Sequence, residues 1–283
     1  MAASLDDEWV ADLARRGMTD LAGRSVILLG AGQFSDAFLV GERVVRVPKS
    51  QVAMEGLRRE VEFLAATRDQ LRAQVPRVLE TRFDMGPDEA FVVHGLIPGD
   101  VLHSAWLREM TEDELSGVAA EVANFVRSLH ALAPDRAGSG LERSDLGSWW
   151  TALISAVEDE VVPHLAQDVG ARFLSEIMPP ADTFDAAPPV VCHGELGGNL
   201  LWGPEGLGVI DFASCSVAHP AVELASLLVL GDRFLQALLS AYPDLTESLE
   251  AAWHIHRSFA AQDLLWSVRQ GDLTRVRMIV EES

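Results

Sequence analysis

Val190-Val-Cys-His-Gly-Glu-Leu-Gly-Gly-Asn-Leu-Leu-Trp202, followed closely by Gly208-Val-Ile-Asp-Phe212, is the stretch whose reading decides the fold. Two short apolar runs read as strands, and each delivers polar residues at its end. His193-Gly194-Glu195 follows the first run, Asn199 comes four residues after Glu195, and Asp211 ends the second. A carboxylate, a carboxamide and a second carboxylate in this order suit phosphoryl transfer. The first faces the attacking hydroxyl, and the other two hold magnesium beside nucleotide phosphates. His193 is expected to brace the turn by hydrogen bonding rather than to act as a base.

Upstream of this stretch the chain is rich in strands. Ser25–Gly30, Ala37–Val40, Arg43–Val47, Pro76–Leu79 and Ala90–Val93 read as five strands, with a helix over 52–73 inserted after the third. A short amphipathic helix over 7–16 precedes them. Between the first two strands, Leu29-Gly-Ala-Gly-Gln-Phe-Ser-Asp-Ala-Phe38 places Gly30 and Gly32 where backbone amides can approach phosphate oxygens, and Ser35 adds a hydroxyl. There is no Walker P-loop, and taken alone the segment is equally a glycine hairpin turn. Arg46 in the third strand and Glu60 in the helix strengthen it, since kinases hold phosphates with a strand cation oriented by a helix carboxylate. The alternative is an exposed strand arginine with no partner. Lys49, the single lysine, lies beyond Pro48 and outside the strand.

Downstream, helices dominate. Thr111–Leu132 opens with the capping box Thr111-x-x-Glu114 and continues with Leu115, Val118, Val122 and Val126 at helical spacing. Trp149–His164, Val222–Leu239 and Leu245–Val268 are further helical stretches. Strands first and helices after predict an α+β protein of two lobes: residues 1–97, a nucleotide-binding sheet with one helix, and residues 98–283, mostly helical, with the catalytic loop.

Composition narrows the partners. The 283 residues are 48% hydrophobic, and the longest apolar run, near Leu224–Leu230, is far short of a membrane span. The acidic N-terminus Met1–Glu8 lacks the features of a signal peptide, so a cytoplasmic protein is expected. Cys192 and Cys215 read as small core residues in a reduced compartment. A formal net charge of −21 argues against nucleic acid and anionic membranes. Such a surface either attracts a polycationic substrate or serves solubility alone.

The order and spacing of these residues resemble the antibiotic phosphotransferases, the aminoglycoside and macrolide kinases that share the protein-kinase fold. The resemblance covers nearly the whole chain and is most specific over residues 190–224. That family carries His-Gly-Asp with the Asn five residues on. Here Glu195 is longer by one methylene and Asn199 comes one residue sooner, so either the longer arm compensates for the shorter loop or the site has lost its chemistry. Arg46-Val47-Pro48 matches the family's cation before an apolar-Pro pair, with arginine for lysine; arginine can bridge phosphate and carboxylate. Val92-Val-His-Gly-Leu-Ile-Pro-Gly99 resembles the family hinge, where backbone at Gly95 and Ile97 would bond the base; His94 is equally a buried structural histidine. Ala218-His-Pro-Ala-Val-Glu-Leu224 resembles the family's Asp-Pro-x-x-Asp-Leu segment.

The resemblance implies a two-lobed, protein-kinase-like α+β fold in a monomer. Glu195 would be catalytic, and Asn199 and Asp211 would bind Mg2+. Gly30, Gly32, Ser35, Arg46, Glu60, Gly95 and Ile97 would bind ATP or GTP. Glu223, Asp263 and Trp266 would face the acceptor. Gly197-Gly198 and Gln262–Trp266 are faintly similar to the viomycin kinases, which act on a cationic peptide. The acceptor is expected to be a small antibiotic, because a helix begins within a dozen residues of Asp211 and leaves no platform for a protein substrate. A small-metabolite kinase of the choline or homoserine type, and an inactive kinase-fold binding module, are the alternatives.

Overall fold

The computed structural model describes residues 5–18, 25–137, 140–165, 187–272 and positions 170, 174, 175 and 184. Its first sheet contains β1 (Val26–Ala31), β2 (Ser35–Val40), β3 (Arg43–Pro48), β4 (Val78–Arg82) and β5 (Phe91–Gly95), in the order β1-β2-β3-β5-β4. All neighbours are antiparallel. Strand alternation sorts the side chains. Phe38, Val40, Val45, Val47, Phe91 and Val93 share one buried face with Leu13 of helix α1 (Leu5–Arg15). Arg46 and His94, at the intervening positions, meet helix α2 (Gln51–Thr67) on the other face.

α2 starts where Ser50 Oγ accepts the Ala53 N–H at 3.2 Å. Its buried residues Ala53, Leu57, Glu60, Leu64 and Thr67 recur at helical spacing, so a carboxylate lies within an apolar stripe. The sequence predicted this helix to reach residue 73. It stops at Thr67, whose hydroxyl bonds the Phe63 carbonyl at 2.7 Å, and a 3-10 turn over Arg68–Gln70 follows. β4 begins at Val78 rather than at Pro76, and the Gly95 N–H of β5 reaches the Arg77 carbonyl just before it at 3.0 Å.

The chain forms two compact units. The first runs to Leu102 and also takes in Leu132–Leu141 and Gly198–Cys215. This division differs from a single cut after residue 97. The reason is a second sheet in which β6 (Asp100–Val101) pairs with β9 (Leu200–Gly203), and β9 pairs with β10 (Gly206–Val209). Two glycines permit the close crossing there. A Cβ on Gly99, at φ 151°, would lie 2.9 Å from the Trp202 carbonyl carbon, and one on Gly203 would fall on the Pro98 carbonyl.

The second unit holds His103–Ala131, Glu142–Gly197 and the residues from Ser216 onward. Its small sheet has β11 (Ser216–Ala218) between β7 (Glu142–Arg143) and β8 (Val190–Cys192). The remaining elements are helices: α3 (Ser104–Glu109), α4 (Glu112–His130), α5 (Leu146–Ala156), α6 (Ala221–Leu227), α7 (Asp232–Ala241), α8 (Leu249–Arg257) and α9 (Phe259–Arg269). The capping box of α4 forms as predicted, and its stripe Leu115, Val118, Val122 and Val126 is buried.

Three helical stretches that looked continuous in sequence are interrupted. The stretch over 149–164 is regular only in α5, widens into a π turn over Val157–Val161 and ends in a 3-10 turn containing Pro163. Gly231, at φ 96°, separates α6 and its 3-10 extension from α7. α8 and α9 part at Ser258, whose hydroxyl bonds the Ile255 carbonyl at 2.6 Å. No described helix is long and apolar enough to cross a membrane.

Candidate active site

In the first unit, a buried guanidinium joins two carboxylates. Arg46 Nη1 donates to Glu60 Oε2 at 2.6 Å, and Nη2 donates to Asp211 Oδ1 at 2.7 Å and to Ser35 Oγ at 3.2 Å. Burial alone would lower the Arg46 pKa, but Glu60 and Asp211 outweigh it and hold the pKa above its ordinary value. Burial pushes the Glu60 carboxyl up to about 7, although Arg46 opposes this. Arg46 is thus no exposed, unpaired strand arginine. Its planar fork suits a site where one cation must face a carboxylate and phosphate together.

Lys49 lies outside this cluster. It is exposed, and its Nζ is 2.8 Å from Asp36 Oδ1 and 2.7 Å from the Gly32 carbonyl. Arg46→Ala is therefore expected to raise the nucleotide Michaelis constant about tenfold or more, whereas Lys49→Ala changes it by less than about threefold. Steady-state kinetics on the two variants checks this, and the reverse order would move the phosphate grip to Lys49.

Asp211 owes its position to a hairpin. Leu200 pairs with Val209, and the Ile210 N–H donates to the Asn199 carbonyl at 3.0 Å, so Asn199 and Asp211 end the two strands on the same side. Asp211 has φ 62° and ψ 68°, and it is the one non-glycine residue with positive φ among those described. Aspartate tolerates this left-handed conformation better than most residues, and such strain gathers at functional sites. Phe212 is fully buried and stacks on Phe63 of α2 with centroids 5.6 Å apart, which anchors the turn. A carboxylate and a carboxamide at one hairpin end form a hard oxygen donor set of the kind magnesium takes.

The other nucleotide candidates behave unequally. The Gly32 N–H bonds the Ser35 carbonyl at 3.0 Å, closing the β1–β2 turn, while nothing lies within 4 Å of where a Cβ on Gly30 would sit. Ser35 presents its hydroxyl to Arg46. The Gly95 N–H is spent on Arg77, so any base contact at Gly95 falls to its carbonyl. The Ile97 N–H meets no carbonyl among the described residues. The Ile97 side chain lies against Gly208, where a Cβ would come within 2.6 Å of its Cγ2.

In the second unit the loop after β8 is held by α6. Gly194, at φ 89°, turns the chain after β8 and leaves the Glu195 side chain exposed. The Glu195 N–H bonds His193 Nδ1 at 3.3 Å, the bracing role expected of His193. The His193 N–H donates to Glu223 Oε2 at 2.6 Å, the Leu196 N–H donates to Ser226 Oγ at 3.1 Å, and the Ser226 hydroxyl donates to the Glu223 carbonyl at 2.8 Å. Leu196–Gly198 form a 3-10 turn between Glu195 and Asn199. A Cβ on Gly197 would fall on the Ser226 carbonyl, so the turn packs directly on α6.

Glu223 was expected at the acceptor. The structure corrects this: it is fully buried beneath the loop, with one carboxylate oxygen, Oε2, accepting the His193 N–H. Ser226 was missed, although Glu223-x-x-Ser226 spans one helical turn and so puts both on one face of α6. Asp263 is exposed and Trp266 half-buried, a turn apart on α9. Both cysteines are buried and neither is in a disulfide, as expected of small core residues.

Burial pushes the Glu223 carboxyl up to about 7, against the hydrogen bonds it accepts. A raised carboxyl pKa means the folded state holds the proton more tightly than the unfolded state. Its stabilising contribution is complete below about 4.5 and is lost as pH rises through about 7. Glu223→Gln keeps an acceptor for His193 and removes this dependence. Melting curves between pH 5 and 8 are expected to fall less steeply for the variant, by a few kcal/mol over the range. Parallel curves would show that Glu223 stays charged throughout.

Residues 25–257 match the model of the phosphotransferase enzyme family. The chain belongs to that family, and it is a phosphotransferase acting on hydroxyl groups. Its fold is shared with the GDP and kanamycin complex of APH(2")-IIia, at TM-score 0.84 and 23% identity over 97% of each chain. The GDP complex of wild-type aminoglycoside 2'-phosphotransferase-IIIa gives TM-score 0.83 and 23% identity, covering 99% of this chain and 98% of that one. Macrolide 2'-phosphotransferase MphH from Brachybacterium faecium gives 0.68 and 20% over 96% of each chain. A search of curated proteins finds no match. The protein-kinase-like α+β fold expected from the sequence is thus the fold observed.

Proposed function

We propose that the protein transfers the γ-phosphoryl group of ATP or GTP to a hydroxyl of a small, cationic antibiotic and thereby confers resistance. The observation that carries this reading is the buried Arg46, shared between Glu60 of α2 and Asp211 at the end of β10. Arg46 binds phosphate oxygens while Glu60 keeps its fork oriented. Glu195 accepts the proton of the acceptor hydroxyl as that oxygen bonds to phosphorus and the nucleoside diphosphate leaves. Asn199 and Asp211 would hold magnesium, which offsets phosphate charge when bound. Asp263 and Trp266 offer a carboxylate and an indole to a cationic acceptor.

A net charge of −21 supports attraction of a polycation. Aminoglycosides and basic cyclic peptides fit this better than macrolides, which still carry an amine. The structures of similar fold bound to GDP, to kanamycin and to gentamicin support a guanine nucleotide and an aminoglycoside. The reaction is assigned to the cytoplasm, where nucleoside triphosphates and magnesium are abundant. The test is nucleotide consumption by purified protein over aminoglycosides, basic cyclic peptides and macrolides, with choline and homoserine included. A mass gain of one phosphate on an antibiotic is the expected result. Phosphorylation of choline or homoserine alone would make it a metabolite kinase, and nucleotide binding without turnover a binding module.

A further inference from the structure

We infer that His94 is a positioning residue for nucleotide binding: from β5 it holds the second oxygen of Glu60, so that Glu60 can hold Arg46. The inference rests on the reading of Arg46 as the phosphate grip. Four observations carry it. His94 is 3% exposed and Glu60 is 1% exposed, so neither is solvated. His94 Nε2 lies 3.4 Å from Glu60 Oε1, while the other Glu60 oxygen is occupied by Arg46 at 2.6 Å. Glu60 Oε1 makes no close hydrogen bond among the described residues, and neither do the two ring nitrogens of His94. The neighbours Phe91, Val92 and Val93 are all apolar, so a buried imidazole at this position of β5 is costly unless it serves that oxygen.

The chemistry is consistent with a neutral donor. Burial first, and the charge of Arg46 second, push the His94 pKa down to about 4, so the ring carries one N–H at neutral pH. The tautomer that places it on Nε2 puts the donor on the nitrogen that lies 3.4 Å from Glu60 Oε1. The charged groups facing this pair are Arg46 of β3, Glu60 of α2 and Asp211 beyond β10. The Phe212 backbone also donates to the Glu60 carboxylate. When phosphate oxygens draw Arg46 Nη2 away from Asp211 and Ser35, Glu60 must stay in place for Nη1 to stay in place. A donor on its far side prevents it from following. His94 also directly precedes Gly95, the candidate base contact, so one strand links base recognition to the phosphate grip.

The test is nucleotide affinity, measured by calorimetry with ATP and GTP in magnesium buffer on the full chain without acceptor. His94→Leu is expected to weaken binding about tenfold or more, the loss for one hydrogen bond to a charged group. His94→Gln, which keeps an N–H donor, should return affinity to within about threefold of wild type. In a Glu60→Ala background, His94→Leu should have no further effect, because the oxygen it served is gone. A packing role alone would lower the melting temperature of His94→Leu without changing affinity, and that result overturns the inference. Additive losses in the Glu60→Ala background overturn it equally. If His94→Leu does not fold, His94→Met fills the site without a donor and takes its place. Wild type that binds neither nucleotide removes the phosphate-grip reading and this inference with it; wild type that binds, with an unchanged His94→Leu, removes the inference alone.

Discussion

Asp211→Asn is expected to lose phosphoryl transfer by about a thousandfold or more while keeping the fold. A metal ligand that offsets developing phosphate charge contributes several kcal/mol, and each 1.4 kcal/mol is tenfold in rate. Asparagine suits the test because it tolerates the left-handed backbone at φ 62° and its amide oxygen can still accept from Arg46. Arg46 also keeps Glu60 at 2.6 Å, so the cost to stability should be about 1 kcal/mol. Nucleotide affinity in the variant should no longer respond to magnesium. Single-turnover transfer and nucleotide titration with and without magnesium measure both effects. Transfer within tenfold of wild type would remove Asp211 from the reaction.

The second large effect concerns Glu195. Glu195→Asp should slow transfer on the order of a hundredfold, even though aspartate is the usual acid of the family. The carboxylate would retreat by about 1.5 Å, and a displacement of about 1 Å can cost that much. The loop cannot easily follow, because the His193 and Leu196 N–H groups are fixed on Glu223 and Ser226 and Gly197 packs on the Ser226 carbonyl. Glu195→Gln, which cannot take a proton, should lose about 100- to 10,000-fold. The measurement is single-turnover transfer to a confirmed acceptor. An inactive wild type that gains transfer on Glu195→Asp would show that the longer acid had ended catalysis.

Much of this was legible in the chain because it depends on local order. Short apolar runs marked β2, β3 and β5, a capping box marked the start of α4, and apolar runs delivered Glu195 and Asp211 to strand ends. Arg46 and Glu60 could be paired by their order along the chain, since strand and helix follow each other directly. Helix interruptions were less legible. Thr67 and Ser258 end or break helices through hydroxyl bonds to carbonyls that no periodicity reports.

What the sequence by itself determined, then, is the set of chemical groups and the elements that carry them, because hydrophobic period, turn residues and motif spacing act between near neighbours. The tertiary structure decided which groups share partners. It gave Arg46 a second carboxylate 165 residues away, and it placed the His94 ring of β5 3.4 Å from Glu60. It also took Glu223 out of the acceptor set and placed it with Ser226 under the loop that carries Glu195. Those outcomes depend on which face of each element is buried against which neighbour, and burial of a charge in a low-dielectric interior forces a pairing that distance along the chain does not encode.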